Sequence, residues 1–74
     1  MAIAKHSKLD YAQMMATIGR YIVKKNLSDV CVMEFEHGIL IVGSAFYEAG
    51  EDAGRRTETH VLSVEELERL AEGG

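Results

Sequence analysis

Residues 39–47 read Ile-Leu-Ile-Val-Gly-Ser-Ala-Phe-Tyr, and neither of the two alternating faces of this run carries a charge. A half-solvated strand alternates apolar with polar positions, so the run predicts a core strand covered on both sides. Residues 29–36 alternate more plainly, with Cys31, Met33 and Phe35 on one face and Val30, Val32, Glu34 and Glu36 on the other. Residues 55–62 alternate again, Arg55, Thr57, Thr59 and Val61 against Arg56, Glu58, His60 and Leu62. Three strands are predicted, the third polar enough to be an edge.

Helices flank them. From Leu9 to Lys25 the chain is rich in helix formers, with Ser7 as the expected N-cap, Asp10 three residues on, and Lys24 and Lys25 at the negative end of the dipole. Asn26 is the expected left-handed cap, with Leu27 folding back as its apolar companion. At about 100° per residue, Tyr11, Met15, Ile18 and Ile22 form a bulky row, and Ala12, Ala16, Gly19 and Val23 a small one beside it. With Met14 and Tyr21 the apolar arc spans roughly 220°, twice the stripe that covers a single core, so this helix is expected to touch two surfaces. Ser63 with Glu66 forms a capping box for a second helix, whose apolar stripe is Val64, Leu67, Leu70 and Ala71 and whose end is Gly73-Gly74.

These elements predict one α+β domain over residues 1–74, in the order α-β-β-β-α. The sheet is a three-stranded antiparallel meander of order 1-2-3 with two helices on one face, and residues 1–6 form a flexible arm. The turn His37-Gly38 would pair Glu36 with Ile39, Glu34 with Ile41, Val32 with Gly43 and Val30 with Ala45. Glu48 to Gly54, full of acids and glycines, reads as a solvated loop, and pairing Tyr47 with Arg55 sets the third strand's register. The bulkier sheet face, Met33, Phe35, Leu40, Val42 and Phe46, is the expected seat for the helices; Val30, Val32, Ile39, Ile41, Gly43 and Ala45 make the other.

Composition sharpens the picture. A 74-residue chain buries only about 60% of the surface its unfolded form exposes and commonly needs a disulfide, a metal or a second subunit. One cysteine, Cys31, excludes an internal disulfide and suits a cytoplasmic protein. His6, His37 and His60 are scattered at no ligand spacing, so neither metal nor cofactor is expected. The net charge of −4 disfavours nucleic acid as a partner, and no apolar run of membrane-spanning length occurs. The element order is similar to that of double-stranded-RNA-binding domains in topology alone. The basic helix start those domains use is acidic here, Ser63-Val64-Glu65-Glu66, so neither their activity nor any residue carries over.

One constellation could carry chemistry. In the register above, Cys31, Ser44, Glu58 and His60 share a face: thiol, hydroxyl, carboxylate and imidazole, the types that make nucleophile, orienter and base. A one-residue slip would separate them, and a buried lone cysteine is more often a small hydrophobe than a nucleophile. Self-association is therefore the leading expectation. The chain reads as a non-enzymatic homodimeric assembly module whose interface is Ala12, Ala16, Gly19 and Val23 with Val30, Val32, Ile39 and Ile41. The alternatives are a small-molecule-binding protein or minor enzyme with a pocket at the Cys31 constellation, and an accessory subunit of a different protein.

Overall fold

The computed structural model describes residues 7–73; the expected arm at residues 1–6 and the terminal Gly74 lie outside them. The elements are α1 (Tyr11–Lys24), β1 (Leu27–Phe35), β2 (Gly38–Ala49), β3 (Asp52–Ser63) and α2 (Val64–Gly73), with the strands in one antiparallel sheet of order β1-β2-β3. The α+β meander expected from the hydrophobic pattern is the observed architecture.

Local chemistry sets the helix ends. α1 starts later than expected because Asp10, not Ser7, is the N-cap. Its carboxylate accepts from the Gln13 backbone N–H at 2.7 Å while the Gln13 amide accepts from the Asp10 N–H at 3.0 Å. Ser7 instead donates to Glu68 of α2 at 3.2 Å. Asn26 ends the helix at φ 55°, as a left-handed cap should, and Leu27 is buried beneath it. Ser63 and Glu66 close the capping box of α2 in both directions at 3.2 Å.

Both hairpins differ from expectation. The first turn is Glu36-His37, because Phe35 pairs with Gly38; each strand therefore shifts by two residues relative to its partner and keeps its faces. Gly38 is wanted for proximity, not for a left-handed turn: a Cβ there would lie 2.3 Å from the Leu62 carbonyl oxygen and 3.0 Å from the Phe35 ring. The second turn is only Gly50-Glu51, Gly50 taking φ 63°, and the expected loop from Glu48 to Gly54 is a continuation of both strands. Tyr47 pairs with Gly54 rather than Arg55, a one-residue change that exchanges the faces of the whole of β3.

The helices lie on the small face, contrary to the bulky-face expectation. Met14 and Ile18 of α1 and Leu67 of α2 pack with Leu27, Ile39, Ile41, Ala45 and Leu62, and Met14, Ile39, Ile41 and Leu67 are wholly buried. Asp29 and Val30 stand opposite the single residue Gly43 in a bulge, with Asp29 at φ 52°. The missing Cβ of Gly43 admits Leu27 and Val30, whose carbons would come within 3.3 Å of it. A flat floor of Gly43 and Ala45 lets helix side chains reach the sheet, whereas aromatic residues would hold the helices off. Full burial of each Ile, Leu or Met contributes about 2 kcal/mol, so these contacts decide the layer arrangement.

Two glycines give opposite expectations. Gly38→Ala should destabilise by about 2 kcal/mol, since strand backbone must move to admit the methyl group. Gly19→Ala, where a Cβ meets nothing within 4 Å, should stabilise by up to about 1 kcal/mol through helix propensity. Urea unfolding midpoints of the two variants check the pair.

Candidate functional site

The register of β3 divides the expected constellation. Cys31 pairs with Val42 and Ser44 with Thr57 on the face away from the helices, while Glu58 opposes Gly43 and His60 opposes Ile41 on the face beneath them. Cys31 is exposed, and the strand backbones separate it and Ser44 from Glu58 and His60. A shallow hollow of about 380 Å³ lies elsewhere, lined by His37, Ser63, Val64, Glu65 and Glu68.

Glu58 and His60 have found other company. His60 Nε2 lies 3.1 Å from Glu58 Oε1, and His60 Nδ1 lies 2.7 Å from the Tyr21 hydroxyl of α1. A carboxylate only accepts, so in the neutral ring Nε2 carries the proton and Nδ1 accepts from Tyr21. Arg56 adds an ion pair to Glu58 at 3.3 Å, and Lys25 stands 5.7 Å from the centre of the Tyr21 ring. The hydrogen bond from His60 holds the Glu58 carboxyl below its ordinary range, against a smaller opposing effect of partial burial. Burial, followed by the charges of Glu66 and Glu58, pushes the Tyr21 hydroxyl up. Tyr21, His60, Glu58 and Arg56 form one connected polar chain, the phenol donating to the imidazole, the imidazole to the carboxylate, and the guanidinium pairing with that carboxylate. It fastens the end of α1 to β3 in a polar layer beside the core.

The expected interface is divided as well. Ile39 and Ile41 are at the bottom of the core, Val30 packs against it, and Val32 is half-exposed at the β1 edge. Ala12, Ala16, Gly19 and Val23 face outward on α1, with Val23 nearly four-fifths exposed. These residues do not make one surface, because the helices lie over the very sheet face that was to join the small row.

The apolar surface left open is the other face of the sheet. Phe35, Met33, Cys31, Leu40, Val42 and Val61 gather toward the β1–β2 turn, with Phe35 44%, Met33 53% and Val61 58% exposed. Toward the opposite end Ser28, Ser44 and Thr57 replace them; Ser28 donates to the Ser44 carbonyl and accepts from Arg55. Phe46, 53% exposed, stands just past this polar strip. Among the described residues both helices lie on the other side of β2, and which face they left open depended on the helix packing.

Among known protein families, curated proteins and solved structures, the chain has no significant match. No helix among the described residues is long and apolar enough to cross a membrane.

The depressed carboxyl makes a signed prediction. Glu58 binds a proton less readily folded than unfolded, so its contribution to stability is present above the unfolded value and is lost as pH falls through the folded one. Wild type should exceed Glu58→Gln in urea midpoint at about pH 5, and the gap should narrow as pH falls below the ordinary glutamate range. A gap independent of pH would contradict the hydrogen-bond assignment.

Proposed function

We propose that this protein is a self-associating module in which the open sheet face of one copy covers the same face of a second. The observation that carries the proposal is the uncovered apolar end of that face, Phe35, Met33, Leu40, Val42 and Val61, on a β2 strand whose other side is already the core. Monomeric soluble proteins seldom leave a contiguous aliphatic and aromatic patch of this kind in water.

A second copy offers a cover of the same size and chemistry. The three-stranded part of the sheet is eight β2 residues long, Gly38 to Ala45, a planar footprint of about 27 by 14 Å. That is roughly 380 Å², to which the continuing β2–β3 ribbon adds about 130 Å² before side-chain relief, against the ~800 Å² per partner that standard interfaces bury. Two such faces pressed together would make a sheet sandwich, about 10 Å between sheets, with helices on both outer sides. The arrangement is isologous, so every residue that needs cover also supplies it. Nothing in the proposed assembly requires catalysis, cofactor or metal.

Sedimentation equilibrium across a concentration range should find a dimer at low micromolar protein. Val61→Lys puts a charge on the β3 side of the patch, beside Leu40, at a site with no core role and should weaken association tenfold or more, leaving a folded monomer by circular dichroism. Val23→Lys, on the outward row of α1, should leave the dimer unchanged. A wild-type monomer at high micromolar concentration would overturn the proposal and leave the face to a different protein.

A further inference from the structure

The β2–β3 hairpin outruns the rest of the molecule. β1 pairs with β2 only as far as Leu27 opposite Ala45, yet β2 and β3 continue as a two-stranded ribbon from Phe46 opposite Arg55 to Ala49 opposite Asp52. The four further pairs reach about 14 Å beyond the third strand. The molecule is accordingly long and thin, 46 × 24 × 16 Å, with a radius of gyration of 13.6 Å where about 11 Å is expected for a compact chain of this length. A two-stranded ribbon standing alone in water is at best marginally stable. This one also carries Phe46 on the open-face side, exposed, and ends in the acids Glu48, Glu51 and Asp52.

We infer that in the self-associated protein the ribbon of each copy crosses to the apolar end of the other copy's open face, seating Phe46 over the partner's Leu40. The inference rests on the proposed function and specifies its geometry. An aligned sandwich of identical faces has two possible two-fold axes in the plane of the sheets, one along the strands and one across them. The axis along the strands lays ribbon on ribbon and brings the acids of both tips together, with the apolar ends stacked at the far side. The axis across the strands reverses one copy. Centred near Gly43, it sets position 46 of β2 over position 40 of the other copy, lays Ser44 over Val42 and Thr57 over Thr59 near the middle, and separates the acidic tips. Like-charge repulsion disfavours the first arrangement, and only the second gives each lone ribbon an apolar floor.

Thiol cross-linking distinguishes the arrangements. In a Cys31→Ser background, Phe46→Cys and Leu40→Cys are prepared separately and treated with a bis-maleimide of about 10 Å reach, the spacing of packed sheets. In the crossed arrangement each thiol is about 20 Å from its own symmetry mate and about 10 Å from the other position, so covalent dimer should form in the mixture of the two variants and in neither alone. Self-linking of Phe46→Cys would overturn the inference while leaving self-association standing. So would a dimer by sedimentation that links in no combination, the result expected of sheets crossed at right angles. If Phe46→Cys itself weakens the dimer, Glu48→Cys removes no apolar contact: self-linking there identifies ribbon on ribbon, and its absence in a sedimenting dimer agrees with the crossed form. A monomeric Cys31→Ser parent, monomeric also as wild type, would instead be the failure of the proposed function.

Discussion

The packing of Met14, Ile18 and Leu67 against Ile39 and Ile41 is the contact from which the other features follow. It commits both helices to one side of the sheet. β2 contributes small or β-branched residues on that side, and the bulge opposite Gly43 brings Leu27 and Val30 into the floor. Having only two helices, of 14 and 10 residues, the described chain provides one cover for its sheet. The bulkier residues of β1 and β2 then face outward.

The same commitment assigns the polar residues. With the helices on the Ile41 side, His60 is drawn under α1, where Tyr21 and Glu58 occupy its two ring nitrogens and the imidazole links α1 to β3. Cys31 and Ser44 are left on the far side of the sheet, separated from it by the strand backbone. A half-buried ring with both nitrogens satisfied adds specificity to the placement of α1 at modest energetic cost, since each polar atom keeps a partner. No buried side-chain nitrogen or oxygen among the described residues is left without one. Tyr21, His60, Glu58 and Arg56 thus tie α1 to β3, while among the described residues the opposite sheet face and its projecting ribbon carry no helix.

Much of this was legible in the sequence by itself. The periodicities of residues 29–36, 39–47 and 55–62, the Ser63–Glu66 capping box and the Asn26 cap determined five elements, their order and their antiparallel connection, because each depends on interactions within a few residues. The charge-free faces of β2 also set the expectation that both would be covered, which the two helices meet on one side. Tertiary structure alone decided three things. It chose the small face for the helices, a matter of how closely a whole helix can approach Gly43 and Ala45, which no single strand's alternation reports. It extended the second hairpin through Glu48 to Gly54, where cross-strand pairing outweighed a composition that favours loops. And it placed Tyr47 opposite Gly54: a tight Gly50-Glu51 turn fixes β3 one residue away from the register a longer loop would set, and with a side-chain period of two that one residue decides which face holds Glu58 and His60.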